Sequence, residues 1–478
     1  MPGVAWYGSG EDVGINGPIE NDELPTITDS GKVCILSIDG GGMRGIIPGR
    51  ILAYLEAALK ARSGNPNAKI ADYFDVAAGT SVGGILTTML FTNDGTGSPL
   101  FSGEESWRLI AEKGEQIFKI PKTQRAWKKL RGIMTPRYST KYLEGILKQY
   151  LIRDGRALTL RDTLKPVLIP CYDLQSAGPF LFSRADALDC EAWDFSLWEI
   201  CRATSAVPSF FKPANMTSID GKTTCTAIDG GIVMNNPTAA AITHVLHNKL
   251  EFPSVRGMSD LLVLSLGTGQ FDQTYGYKKV RHWGAFQWAK PIVKIILDGI
   301  SDMVDHTISM SFGDTFRKNY VRVQVSGLPD RALTEMDDGS QGNVKRLMKL
   351  ADELLKQKSM EHLPFGGRRP LSVSNMERLD WFAEQLVQEQ KARLLRKNPT
   401  VILKNATRDR CWIHSRVNCS DCEDHVTVRE KLIMLLSDSL KEPDCLRPRN
   451  LKAHNCSPAE DPMYIGNEEA RHVRGANS

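Results

Sequence analysis

Twice before residue 92 the chain runs from an apolar, β-prone stretch through glycines directly into an apolar helical stretch. The first is "CILSIDGGGMRGIIPGRILAYLE", Cys34 to Glu56. Val33 to Ile38 suits a buried strand, and from Ile46 onward the apolar positions recur at helical spacing. Between them stand Gly40, Gly41, Gly42 and Gly45. Glycines there let main-chain N–H groups approach a partner closely, and the helix that follows aims its N-terminus at the same spot. Negative charge is expected in front of that loop. It is either the pyrophosphate of a dinucleotide, since Gly40, Gly42 and Gly45 spell G-x-G-x-x-G, or an oxyanion formed in a reaction.

The second is "DYFDVAAGTSVGGILTTMLF", in which Gly79-Thr80-Ser81-Val82-Gly83 forms G-x-S-x-G between strand and helix. In a nucleophile elbow the serine occupies a strained turn, and its neighbours two positions away are glycines because a Cβ would collide with the adjoining elements. The alternative is an ordinary turn with Ser81 as a helix cap. A third segment, "CTAIDGGIVMNNP", ends a strand at Asp229 and opens a turn at Gly230 and Gly231. A carboxylate at a strand's C-terminal end lies where open α/β sheets bind their ligands, so Asp229 is placed to accept the proton of Ser81. Its alternative role is to cap the turn into the helix after Pro237.

The three segments, in this order, resemble the patatin-like phospholipases, which carry D-G-G-G-x-R-G, then G-T-S-x-G-G, then D-G-G or D-G-A. Here they are Asp39 to Gly45, Gly79 to Gly84 and Asp229 to Gly231. "CRATSAVPSFFKPA" and "NNPTAAAITHVLHN" extend the likeness, which runs from about residue 33 to about 390 and is similar to the plant patatin-related group. Some plant members have Gly in place of the nucleophile, whereas this chain has Ser81. Val82 stands for a more usual Thr, and DGG for DGA. The resemblance implies a lipid acyl hydrolase of phospholipase A or galactolipase type with a Ser81–Asp229 dyad and no cofactor or metal. It also implies a three-layer α/β fold with a mainly parallel central sheet. A lipid-binding regulatory protein with little activity is the competing reading.

The glycine loop is then an oxyanion hole formed by the N–H groups of Gly41, Gly42 and Met43. A dinucleotide site wants an acid about 20 residues on, and none lies between Glu56 and Asp72. Asp39 is expected to fix the turn, and Arg44 either to orient the loop or to meet a lipid headgroup phosphate. A triad would need a histidine after the acid, for which His282 and His306 are formally available. His244 and His247, three apart after DGG, read as a packed or solvated face.

Strand and helix runs alternate: strands at VCILSI, YFDVAAG, LKPVLIPCYDL, PFLFSR, CTAIDGG, LLVLSLGTG and YVRVQV, helices at 46–61, 82–91, 139–151, 196–205 and 237–248. The expected organisation is a flexible arm over 1–32, a catalytic core over 33–245, its C-terminal part over 246–397, and an irregular Cys-rich tail over 398–478. The net charge of +4 excludes a general polyanion binder. The segment "FKIPKTQRAWKKLRGIMTPR" nevertheless gathers seven Lys or Arg without an acid. Its Lys122, Arg125, Lys128 and Lys129, with Trp127, suit an interfacial helix on membrane glycerolipid, or simply a solvated basic face. The N-terminus has no secretory pattern, no run reaches a membrane span (LLVLSLGTG and IVKIILDGI come nearest), and ten cysteines without a signal favour reduced thiols. A cytoplasmic protein with peripheral membrane association is expected, without nucleic acid. In the tail, Cys411, His414, Cys419, Cys422 and His425 have zinc-type chemistry but no finger spacing, and the cysteines read as free thiols.

Overall fold

A computed structural model describes residues 31–120, 136–270, 275–325, 336–362, 368–396 and 399–403. The basic segment with Lys122, Arg125, Trp127, Lys128 and Lys129, the arm over 1–30 and the tail from 404 lie outside the described residues.

Eight strands form one sheet: β1 (Val33–Ile38), β2 (Val76–Gly79), β3 (Val167–Asp173), β4 (Gly178–Ser183), β5 (Ala214–Thr217), β6 (Thr224–Asp229), β7 (Leu261–Leu266) and β8 (Tyr320–Val323). Their order is β8-β7-β1-β2-β3-β6-β5, with β4 also paired to β3. The first five in that order are mutually parallel. β4, β5 and β6 join antiparallel at the far side. Strands β7 and β8, from the C-terminal part of the chain, complete the sheet beside β1.

Because successive strand side chains point to opposite faces, β1 feeds two cores. Cys34, Leu36 and Ile38 pack with α1 (Ile46–Ser63), α2 (Val82–Phe91), α3 (Gly103–Ile117) and α4 (Thr140–Leu151). Val33 and Ile35 pack with α6 (Thr238–His247) and with Ile308 of α7 (Ala285–Asn319). Between these lies α5 (Leu197–Thr204), and α8 (Gln341–Lys356) and α9 (Asn375–Leu395) close the first layer. The result is the expected mixed α/β arrangement of helices over both faces of a mainly parallel sheet. No described helix is long and apolar enough to cross a membrane.

The sheet has a gap that positions the site. β2 pairs with β3 at Val167 and Leu168, and β6 pairs with β3 at Cys171 to Asp173. β2 is parallel to β3 and β6 antiparallel to it, so the two strands run toward each other. Their C-terminal ends, leading to Ser81 and Asp229, converge over Ile169 and Pro170.

Candidate active site

Ser81 sits between β2 and α2 with φ 55° and ψ −122°, a region costing a residue with a side chain about 1–3 kcal/mol. The flanking glycines make the turn possible. A Cβ on Gly79 would land on the Gly83 carbonyl and the Thr87 hydroxyl, and one on Gly83 on the carbonyl oxygens of Ile38 and Asp39. The turn is held from below by Thr204 at the end of α5. The Ser81 N–H donates to Thr204 Oγ1 (2.9 Å), and that hydroxyl donates to the Pro170 carbonyl (2.6 Å), in the gap between the converging strands.

The Ser81 hydroxyl donates to Asp229 Oδ2 at 2.7 Å. The Gly231 N–H donates to Oδ1 at 2.7 Å, so both carboxylate oxygens are fixed. Both residues are buried, and burial pushes the Asp229 carboxyl from 3.8 up to about 7 against the two hydrogen bonds. A carboxylate balanced near neutrality is suited to take and return a proton. Gly230 belongs to the same fit, since a Cβ there would land on the Pro170 carbonyl. Neither His282 nor His306 is a hydrogen-bond partner of Ser81 or Asp229. His282 is exposed beside Arg281, His306 lies on α7, His244 meets the Phe252 ring, and His247 bonds the Thr243 carbonyl.

The glycine loop closes on the same point. Gly40 leaves no room for a side chain between Asn235 and the Ser81 Cβ, and Gly45 lies against Val82. Gly42 has φ +58°, and a Cβ on it would strike the Met336 carbonyl. That carbonyl accepts the Met43 N–H at 2.9 Å, so the third of the expected oxyanion donors is engaged. The N–H groups of Gly41 and Gly42 have no hydrogen-bond partner among the described residues. Arg44 is 2% exposed and donates to the Gly269 carbonyl at 2.6 Å. Burial lowers its pKa to about 10. It orients the loop from inside the protein and does not reach the surface to meet a headgroup.

Asp39 is held from outside its own loop. Arg322 of β8 grips both its oxygens (2.9 and 2.7 Å) and also holds Asp305 of α7 (3.1 Å). All three are buried, and burial raises Asp39 to about 6 while Arg322 pulls the other way. A cavity opens at Ser81 and Gly42 and runs between α2, α3 and α4. Its wall is almost wholly apolar, with Ile85, Leu109, Ile110, Leu143, Ile146 and Phe211 among the lining residues. Among the described residues no group of His, Cys, Asp and Glu is arranged to hold a metal, and Cys34, Cys171, Cys201 and Cys225 are free thiols.

A sequence profile of the patatin-like phospholipases matches residues 36–242, which contain all three motifs. Patatin-like protein 6 of Arabidopsis thaliana is 54% identical over 383 residues, 79% of this chain and 75% of that one. This chain belongs to the patatin-like phospholipase family. Patatin-like protein 7 of Arabidopsis thaliana is 49% identical over 405 residues, covering 84% of this chain and 80% of that protein. Probable inactive patatin-like protein 9 of the same plant is 43% identical over 380 residues, covering 79% and 92%. Family membership supports a lipid acyl hydrolase activity in general terms.

Proposed function

We propose that this member of the family is an active lipid acyl hydrolase that cleaves fatty acyl esters of membrane glycerolipids, phospholipids and galactolipids, through a Ser81–Asp229 dyad. The observation that carries the reading is the 2.7 Å Ser81–Asp229 hydrogen bond at the mouth of an almost wholly apolar cavity.

With the acyl chain in the cavity, the ester carbonyl lies at Ser81. Ser81 Oγ attacks the carbonyl carbon while its proton passes to Asp229 Oδ2. The resulting oxyanion faces the N–H groups of Gly41 and Gly42, helped by the N-terminus of α2. Collapse breaks the bond to the glycerol oxygen, which takes the proton from Asp229 and leaves. Asp229 then removes a proton from water, the hydroxide attacks the acyl–Ser81 ester, and the proton returns to Ser81 as the fatty acid departs. Asn235 and Asn236, just after Asp229, keep the turn in place by donating to Ser301 (2.8 Å) and Asp305 (3.0 Å) of α7.

Peripheral membrane contact, with the protein in the cytoplasm, is part of the proposal. It is supported by the basic composition of 118–137 and by Phe118, at the start of that stretch, lining the cavity. The test is a panel of phospholipids and galactolipids assayed with wild type and with Ser81→Ala. Fatty acid release by wild type alone is expected. Equal release by both proteins, or none by either, refutes the proposal.

A further inference from the structure

Helix α7 is two-sided in an unusual way. Leu297, Ser301, Asp305 and Ile308 form its inner seam: Leu297 lies against Gly231, the two polar residues hold the Asn pair after Asp229, and Ile308 enters the core. At about 100° per residue, Ile292, Ile296, Met303 and Met310 fall on one stripe roughly opposite that seam. A helix on the surface of a soluble protein presents polar side chains there. This one presents apolar ones, and Met303 is 63% exposed. Ile295, beside the stripe, is exposed as well.

The turn leading into α7 adds charge and aromatic rings. Tyr277 is 76% exposed, and the neighbouring Lys278, Lys279 and Arg281 are exposed with no carboxylate partner among the described residues. Trp283 and Trp288 stand edge to face with ring centres 5.1 Å apart. From Gln273 to Leu297 the chain has five Lys or Arg and no acid.

We infer that the outer face of α7 and the turn before it form a membrane-docking surface for an anionic bilayer. Cations of one sign, aromatic rings and an adjacent stripe of Ile and Met match the three zones such a surface meets: phosphate, interface and acyl chains. A protein partner would not call for an uninterrupted run of one charge beside the apolar stripe. The inference rests on the reading that the substrate is a bilayer lipid. It adds where the bilayer is met: one helix diameter, about 10 Å, from the turn that follows Asp229.

The test sediments the full chain with vesicles of phosphatidylcholine, alone or mixed equally with phosphatidylglycerol, and in parallel measures hydrolysis of a soluble short-chain ester. Wild type is expected to partition onto the mixed vesicles. Ile292→Ser/Ile296→Ser/Met303→Ser should weaken that partition on the order of 100-fold, and Lys278→Glu/Lys279→Glu/Arg281→Glu by a similar factor on anionic vesicles only. The second variant lies outside the packing of α7, so it decides the matter if the first fails to fold. Both should hydrolyse the soluble ester like wild type. An absence of ester hydrolysis in wild type would count against the proposed activity, while partition would still judge the surface. The surface is refuted if wild type does not bind mixed vesicles, or if both variants bind as wild type does. It is also refuted if the serine variant splits a wild-type dimer and leaves vesicle binding unchanged, because the stripe would then join two copies of this chain.

Discussion

Replacing Asp229 by Asn should cripple turnover and, above neutral pH, stabilise the fold. The amide keeps the shape, and its carbonyl still accepts the Gly231 N–H that now reaches Oδ1 at 2.7 Å. It cannot take the Ser81 proton. A positioned base contributes roughly 10²–10⁴-fold, and since the proposed reaction uses Asp229 in both half-reactions the upper end, about 10⁴-fold, is expected. Stability moves the other way because burial raises the folded-state pKa from 3.8 to about 7. For a group shifted upward, the associated stability is fully present below about pH 3.8 and is lost as pH rises through about 7. At about 1.4 kcal/mol per pH unit, wild type gives up as much as about 4 kcal/mol to hold the ionised carboxylate, and the Asn variant gives up none. Urea denaturation of both proteins should therefore show a gap in favour of the variant that widens from about pH 5 to about pH 8. Wild-type turnover should rise over the same range as Asp229 ionises. A variant within tenfold of wild-type activity would remove Asp229 as the base. A gap that does not widen with pH would refute the raised pKa.

Thr204→Val should destabilise the protein by about 1–3 kcal/mol by stranding the Ser81 N–H and the Pro170 carbonyl, and should lower kcat more than KM; urea melts and steady-state kinetics read both. Gly42→Val should cut turnover on soluble ester by about 100-fold or more, because the side chain meets the Met336 carbonyl at positive φ and moves the donor N–H. Arg322→Met leaves Asp39 and Asp305 buried together without their cation and should cost about 3–5 kcal/mol in urea melts. Reversing Lys122, Arg125, Lys128 and Lys129 to Glu should weaken binding to anionic vesicles, with a wild-type salt dependence to match, and spare the soluble ester; unchanged sedimentation would leave that segment a solvated face.

What the sequence reveals about the site is what local sterics dictate. G-x-S-x-G is legible because Gly79 and Gly83 each lie against backbone, and α2 begins and ends where its apolar run does, at Val82 and Phe91. The strand ends of β1 and β2 are legible for the same reason. The meeting of β2 and β6 is not, since a strand's direction depends on its pairing with β3 and leaves no mark in "CTAIDGG". Thr204 lies in "CRATSAVPSFFKPA", a stretch that stands out in the sequence only by resemblance, and its role appears once Pro170 is beneath it. Arg322 is 283 residues from Asp39, beyond the reach of spacing arguments. The cavity needs α3 and α4 together. Of these, α3 carried a readable start in Ser102 and Glu105, whose reciprocal bonds form a capping box, as do those of Ser374 and Glu377 for α9. The run IVKIILDGI reads as a short apolar segment and proves to be part of α7, with one side on the turn after Asp229 and the other in solvent.

The central claim is that Ser81, activated by Asp229, becomes covalently acylated. The direct measurement is intact-protein and peptide mass spectrometry after treatment with a fluorophosphonate, and after rapid acid quench from a slowly hydrolysed fatty acyl ester. The expected result is one adduct per chain on the peptide bearing Ser81, formed far more slowly in Asp229→Asn and absent in Ser81→Ala. An adduct on another residue, or ester turnover by Ser81→Ala without one, would contradict it.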